Sequence, residues 1–518
     1  MRSELRADDG SLLECAFSLA TQSAQTLGSL AAALEVSVEE TSLYWLMVNK
    51  LRKRQGHVLP VPIDSVAFEG ISDAHQHSKN WYAPTWRLQK LLEEFQINEG
   101  LAVHYETILT EPEGGHYELN LAASEVVLAV QLENDSIDVA QMMRVCVHAC
   151  EPMSGLELLV SNAGKILIDI ETHRSEPLTA SFIEDLYAKL TEGIAIKEVR
   201  EPEAREKAVG AVRYKALESF CECVWPCEAE SSALFGDVAR LGRNGCGNHT
   251  LVNALIALYY FKTFRPFPAG NNVLAYLLYV IILHRAGYHF SAHVPVMKVL
   301  YSSEKRDGKR CGLGCDPQEL AIECDGYSDW SLFFERAVEG VIGEQRWTMT
   351  KLEGMSKRRE RFRTIIDTDE TMNFRQKEVL LEAILHSNAE FTYAIHEQRY
   401  DVSYPCARSD FSRLLDLGFL KQHDDGIRHF FFASDVFADA FLAYLKEHCP
   451  EAFYRYYQED GSLRKEFRSA EDAATEYNKG VGFYEKSLLD KTYVEHYDFR
   501  RTPIADCDGP HRRSRPKG

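Results

Sequence analysis

From His249 to Tyr288 the chain reads HTLVNALIALYYFKTFRPFPAGNNVLAYLLYVIILHRAGY, and apolar side chains dominate it. Leu251, Leu255, Leu258 and Tyr259 fall at i, i+4, i+7 and i+8, one face of a helix. Pro266, Pro268 and Gly270 then break the pattern, because proline lacks the donor a helix interior needs and glycine frees the backbone for a turn. From Val273 to Leu283 the apolar run resumes without a strong period, and Ala286-Gly287 is a natural stop. The pattern predicts two buried helices joined by a short Gly/Asn loop. Such a loop before a helix presents free N–H groups and is a potential anion site.

Elsewhere the same reading predicts mostly helix. Leu12 to Leu34 is an alanine- and serine-rich helical stretch, and Glu39 to Arg54 carries Leu43, Met47 and Leu51 on one face. Val58-Leu-Pro-Val-Pro62 breaks the pattern before a helix around Arg87 to Phe95. Residues 101–133 alternate apolar and polar side chains around Pro112-Glu113-Gly114-Gly115, which predicts a β-hairpin. Gly155 to Gly193 is partly helical, clearest over Leu178 to Tyr187, and Trp330 to Trp347 is an amphipathic helix after a loop insertion at Cys311–Asp325. The basic run Lys357 to Arg363 falls on a linker helix and reads first as a solvated face, with nucleic acid as the alternative. Helices follow over Lys377–His386 and Thr392–Tyr400, Val402–Gly418 reads as a turn plus a recognition-type helix, and two strands over Phe419–Phe432 are interrupted by Asp424-Asp425-Gly426. Val436 to Tyr457 is helical with a break at Pro450, and its aromatic residues Phe437, Phe441, Tyr444, Phe453 and Tyr456 have the spacing of a core stripe. The tail from Arg500 is polar, basic and expected to be disordered.

Composition narrows the classes of function. At 518 residues, 45% of them apolar, the chain is expected to form three or four domains with sizeable cores. A net charge of -20 argues against non-specific binding to nucleic acid or anionic membrane by the whole surface. The longest apolar run is far short of the ~20 residues that span a bilayer, and the acids of MRSELRADDGSLLE are unlike an export signal. Thirteen scattered cysteines fit a reducing cytoplasmic setting. Cys221, Cys223, Cys227 and Cys246, and separately Cys311, Cys315 and Cys324, lack paired metal-ligand spacing, as does Asp73 with His75 and His77. No metal site is therefore expected.

The order of residues from His249 resembles the Fic/Doc family, whose motif HxFx(D/E)GNGRxxR follows a helix beginning His-Pro-Leu, sixteen residues before the motif histidine. Here His249 starts the helix and Arg265 stands sixteen residues on, followed by Phe267, Ala269, Gly270, Asn271, Asn272, Val273 and Tyr276 at the motif positions. The resemblance extends over about residues 120–345 and implies a mainly α fold: a Fic-type helical core with a small β-hairpin flap at Gly210-Ala-Val-Arg213. In the family the activity is as a rule transfer of AMP from ATP to a protein hydroxyl.

The departures remove that chemistry group by group. Arg265 replaces the histidine that takes the hydroxyl proton, and a guanidinium with a pKa above ~12 is no base at neutral pH. Ala269 replaces the acid that holds magnesium and offers a hard cation no oxygen. Asn272 puts a side chain where the family's second glycine lets phosphate approach, and Val273 and Tyr276 replace the arginines that clamp the phosphates. Gly270 and Asn271 survive, with Phe267 as a buried anchor, and their plain reading is structural. The family's inhibitory helix has the pattern [ST]xxxE[GN], and Ser124 to Ala129 is taken for it, with Leu128 at the glutamate position facing Tyr276.

A second resemblance is to the winged helix-turn-helix often appended to Fic proteins, with Cys406 to Phe411 in the place of its T-A-x-R-D-L element. Ser403, Tyr404, Arg408 and Arg413 are the candidates for a DNA-facing helix. Residues 389–436 hold five Lys/Arg against eight Asp/Glu, however, so a winged helix used for protein contact is favoured. The expected layout is a helical region at 1–100, a Fic-like domain at 101–350, a basic linker helix at 351–375, a winged helix at 376–436 and a helical extension with a basic tail at 437–518.

The expectation is a cytoplasmic, catalytically degenerate regulator or scaffold acting through a protein partner. DNA contact would be confined to particular sites, there is no membrane role, and self-association uses a two-fold interface. No cofactor is expected. The alternative is a nucleotide- or phosphate-group transferase of altered mechanism using ATP and Mg, with Arg265 as anion clamp and His284 or His289 as base, although the motif helix carries those histidines ~15 Å or more from the loop.

Overall fold

In the computed structural model the apolar periodicity resolves into nineteen helices and four small sheets among the described residues. Those residues are 9–59, 80–110, 112–133, 137–147, 151–174, 176–195, 197–198, 212–216, 219–223, 228–242, 247–301, 305–306, 309–310, 329–385, 391–424, 429–434 and 436–467. Over 104–120 and 212–234 the description is of the backbone alone. Among the described residues the chain groups into two units, one of residues 9–103 and 118–345, the other of residues 104–117 and 346–467.

The first unit begins with α1 (Asp9–Gln22), α2 (Leu27–Leu34) and α3 (Val38–Gln55), followed by the short antiparallel strands β1 (His57–Val58) and β2 (Trp81–Tyr82). Next come α4 (Trp86–Thr110), α5 (Pro112–Gln131), α6 (Val139–Cys146), α7 (Gly155–Ile168), a 3-10 turn at Ile170–Arg174 and α8 (Ala180–Leu190). The antiparallel sheet β3 (Lys197–Glu198), β4 (Val212–Ala216), β5 (Ser219–Cys223) precedes α9 (Glu228–Leu241), α10 (Thr250–Phe264), α11 (Asn271–Arg285), α12 (His289–Ala292) and α13 (Val296–Tyr301). β6 (Lys305–Arg306) and β7 (Lys309–Arg310) pair antiparallel, and α14 (Ser331–Ile366) belongs to the first unit as far as Gln345.

The core of this unit is the α10–α11 pair. Every residue of α11 from Asn271 to His284 is buried, as are Leu251 to Phe261 of α10. A helix apolar all round belongs inside, which explains why the Val273–Leu283 run has no period. His249 caps α10 by accepting the Leu251 N–H at Nδ1 (3.2 Å).

Two expectations fail here. The hairpin over 101–133 is instead the end of α4 and all of α5, with Pro112 at the first helical position, where its missing N–H costs nothing. Leu121 to Gln131 is buried without alternation, so burial on all sides of a helix outweighs both the weak period-2 signal and the β-branched Val126, Val127 and Val130. In α3 the buried face is Thr41, Tyr44, Trp45, Val48 and Arg52, whereas Leu43, Met47 and Leu51 are exposed. The aromatic rings bury more area than the aliphatic stripe, and Arg52 is drawn in by Asp329 (2.6 Å) and the Trp81 face.

The second unit takes α14 from Arg346, then α15 (Phe374–Leu385), β8 (Phe391–Thr392), α16 (Tyr393–Tyr400), α17 (Tyr404–Asp416), β9 (Leu420–Asp424), β10 (His429–Ala433), α18 (Phe437–His448) and α19 (Pro450–Tyr456). Its sheet is antiparallel in the order β8-β10-β9, with Phe431 opposite Phe391 on one side and Gln422 on the other. Phe362 and Ile366 of α14, Leu380, Phe411, Phe431, Phe441 and Phe453 share one core, so the aromatic stripe of α18–α19 is packing.

The layout boundaries expected at 100 and 350 fall inside α4 and α14, and Phe437 to Leu463 lie in the same core as Phe411. The basic run is not a solvated face. Arg358 and Arg361 are buried, Arg361 Nε donates to the Tyr457 hydroxyl (3.2 Å), and Arg363 pairs with Glu378 (3.0 Å). The tail from Arg500, the metal-candidate residues Asp73, His75, His77, Cys227, Cys246, Cys311, Cys315 and Cys324, and flap residue Gly210 lie outside the described residues.

Candidate functional site

The turn between α10 and α11 is built by conformation before chemistry. α10 ends because Arg265 takes left-handed geometry (φ 44°), with its N–H donating to Phe261 O (3.2 Å), and the prolines cannot continue the helix. Gly270 is left-handed as well (φ 71°), and a Cβ there would meet Leu159 Cδ1 at 3.1 Å, so only glycine fits without strain. Asn271 then closes the turn on itself. Its Nδ2 donates to Phe267 O (2.7 Å) and its Oδ1 accepts the Phe267 N–H (3.0 Å). The half-buried Phe267 ring stacks on Tyr187 of α8 at 3.8 Å and on Phe235 of α9 at 5.3 Å. Phe267, Gly270 and Asn271 thus hold the loop in shape.

The N-terminus of α11 is a pair of backbone donors with a carboxylate already on it. Glu133, just past α5, accepts the Asn272 N–H at Oε1 (2.8 Å) and the Gly270 N–H at Oε2 (3.3 Å). The Asn272 side chain donates to Ala129 O (3.3 Å), tying the last turn of α5 to the same place. The Glu133 residue is exposed while its carboxyl group lies among protein atoms. Burial raises its pKa, and the Asn272 N–H, the charge of Arg265 and the Gly270 N–H offset this in part. The carboxylate therefore stands where an incoming anion would be held.

Ser124 and Leu128, taken for the inhibitory pattern from the sequence, both lie inside α5. Leu128 is buried within α5, and Ser124 Oγ donates to the backbone of its own helix at Leu121 O (2.7 Å). The residue that reaches the loop is Glu133. The signal was present in the sequence: Ala129-Val-Gln-Leu-Glu133-Asn134 matches the E[GN] end of [ST]xxxE[GN], whereas Ser124 to Ala129 matches only its first position.

The remaining motif positions offer a nucleotide little. Ala269 is buried, and Val273 and Tyr276 are both 0% exposed within the α11 core, away from any clamp over the loop. Arg265 is exposed and acts by charge on Glu133. With no oxygen at Ala269, no cation at Val273 or Tyr276 and the donor pair taken by Glu133, these residues do not fit a magnesium nucleotide. His284 and His289 stand at the far end of α11, about 20 Å along the helix from the loop at 1.5 Å per residue. Arg213 lies on β4 opposite Glu222.

In the second unit Ser403 stands at the N-cap position of α17 without a side-chain cap bond, and Ser403, Tyr404 and Arg408 are exposed. Tyr404 rests edge-on against Tyr393 (5.1 Å). Arg413 is half-buried. The acid of this helix, Asp410, is buried and accepts from Arg375 Nε (2.7 Å), His396 Nε2 (3.0 Å) and Asn373 Nδ2 (2.5 Å).

No family model matches the chain, and no curated protein matches it. Among solved structures, the chain is similar to a Fic family protein from Desulfovibrio desulfuricans G20 at 16% identity, over 68% of this chain and 97% of that one, with a TM-score of 0.39. A likeness of that size assigns no role to any residue here. Among the described residues no helix is long and apolar enough to cross a membrane.

Proposed function

We propose that this chain is a catalytically degenerate Fic-type protein that works as a regulator or scaffold through protein contact, with a winged helix over α15–β10. The observation that carries the reading is the Glu133 carboxylate on the Gly270 and Asn272 N–H groups, in a loop whose base, metal-ligand and clamp positions are Arg265, Ala269, Val273 and Tyr276. The helix–strand–helix–helix–strand–strand order of α15 to β10 supports the winged-helix part. A protein surface is the preferred contact for it, with DNA restricted to particular sites, and self-association is part of the proposal.

One observation favours the second reading, a phosphate-group transferase of altered mechanism. Arg265 acts on the same carboxylate as the two N–H groups, so an anion that displaced Glu133 would meet a guanidinium as well.

Nucleotide binding separates the two. Wild-type protein, Glu133→Ala and Arg265→His are titrated with ATP and magnesium by calorimetry, then incubated with labelled ATP and cell lysate. None is expected to bind tightly or to label a protein, because opening the cradle or restoring an imidazole leaves metal and phosphates unheld. A labelled band with any of the three would end the degenerate reading, and one with the wild type or Glu133→Ala would support the altered-mechanism transferase. Light scattering that finds only monomer at tens of micromolar would remove self-association.

A further inference from the structure

Three elements of the first unit converge at the C-terminal end of α11. His284 lies in the helix's last turn. Gly287 (φ 88°) then reverses the chain, with its N–H donating to His284 O (3.1 Å) and the Tyr288 N–H donating to Leu283 O (3.0 Å). α12 therefore starts beside the helix it follows, and His289 folds back until its ring meets that of His284 edge-on at 4.4 Å. The 3-10 turn Ile170–Arg174 brings Glu171 to the same point.

His289 Nδ1 lies 3.2 Å from His284 Nε2, and Glu171 Oε1 lies 3.6 Å from that same nitrogen. One ligand atom from each of the three residues falls within 4.8 Å of the other two. Nε2 of a neutral imidazole either donates or accepts. A cation at the centre would accept a lone pair from each of the three residues at once. Ligands at the 2.0–2.1 Å of a tetrahedral zinc site stand about 3.3–3.4 Å apart, and these two edges of the triangle bracket that spacing.

We propose that Glu171, His284 and His289 bind a divalent transition-metal ion of the zinc class through two imidazoles and one carboxylate. Nitrogen ligands select zinc and its neighbours over magnesium or calcium. Burial is graded across the site: His284 is buried, His289 half-buried and Glu171 exposed, so the ion enters past Glu171 and keeps an open position toward solvent. Ligation ties the end of α11 to α12 and to the 3-10 turn. The site stands at the opposite end of α11 from Glu133 and is independent of the proposed function.

The test uses the full chain, stripped with chelator, kept reduced and titrated with cobalt and with zinc. Because the chain has thirteen cysteines, the cobalt spectrum is the discriminating readout. Visible d–d bands without a thiolate-to-metal charge-transfer band are expected, at one equivalent. Affinity should fall about tenfold or more in Glu171→Ala and in His289→Ala, with circular dichroism unchanged. Zinc should raise the melting temperature of the wild type and not of the variants. Absence of binding, a charge-transfer band on the one ion bound, or variants that bind like the wild type would each overturn the site.

Discussion

Asn271 serves as a clasp, because its amide pairs with both backbone groups of Phe267 and is itself buried. Asn271→Ala leaves one donor and one acceptor of a partly buried turn unpaired, and the cost should be about 2 kcal/mol in urea unfolding. A change under ~0.5 kcal/mol would mean that water replaces the clasp without loss. This part of the site was legible, since Gly270 and Asn271 sit in a recognisable order and their plain reading was structural. Glu133 was not, although Glu133-Asn134 stood in the sequence. Its role depends on α5 ending beside α11, and the region was read as a hairpin, which hides where a helix would end.

At the scale of elements, the α10–α11 pair and the aromatic helices α18 and α19 were readable because continuous or regularly spaced apolar residues have one cheap solution, burial. The α3 stripe misled because periodicity shows that a helix has two faces and cannot say which of them a neighbour covers. The basic run on α14 misled in the same way, since Arg361 and Arg363 meet partners far along the chain in Tyr457 and Glu378. α17 depends on Asp410. Burial alone would raise its pKa, and hydrogen bonds from Arg375, His396 and Asn373 overcome this and hold it below the usual range. Asp410→Ala strands a buried histidine and a half-buried arginine and should cost about 2 kcal/mol or more. Hydrogen exchange across α17 would read this as lost protection, and unchanged protection would show that the network is dispensable. On DNA, α17 exposes Arg408 while Arg413 is half-buried. Gel shifts at physiological salt should therefore show weak or no binding to random duplex. Micromolar binding that survives Arg408→Ala and Arg413→Ala would sink that expectation.

At the scale of the whole molecule, the shifted carboxyl groups of the two units move in opposite directions. In the first unit, four carboxyl groups accept from helix starts or loops: Glu99 from Ser291 and Phe290, Glu125 from Met297 and Lys298, Glu133 from Asn272 and Gly270, and Glu335 from Thr85 and Ala24. Burial raises the pKa of all four, and that of Glu125 is pushed up to about 8. Each then binds its proton more tightly in the folded chain than in the unfolded one. The stability this gives is full below the unfolded value of ~4.3 and is lost as pH rises, for Glu125 through about 8, at up to ~1.4 kcal/mol per pH unit. In the second unit Asp410 and Asp369 have lowered values, so their stability is present above the unfolded value of ~3.9 and is lost as pH falls through the folded ones. The windows do not overlap. Exchange resolved by unit should show the second unit loosening first in acid and the first unit loosening from pH ~5 to 9. Glu125→Gln isolates the alkaline limb. Its amide oxygen accepts one of the two N–H groups while its NH2 opposes the other, so the variant should melt lower than wild type near pH 5. Above pH ~8 the wild type carries a buried charge that the variant lacks, and the order should reverse. Parallel melting curves across that range would show that the Glu125 carboxyl does not titrate with folding.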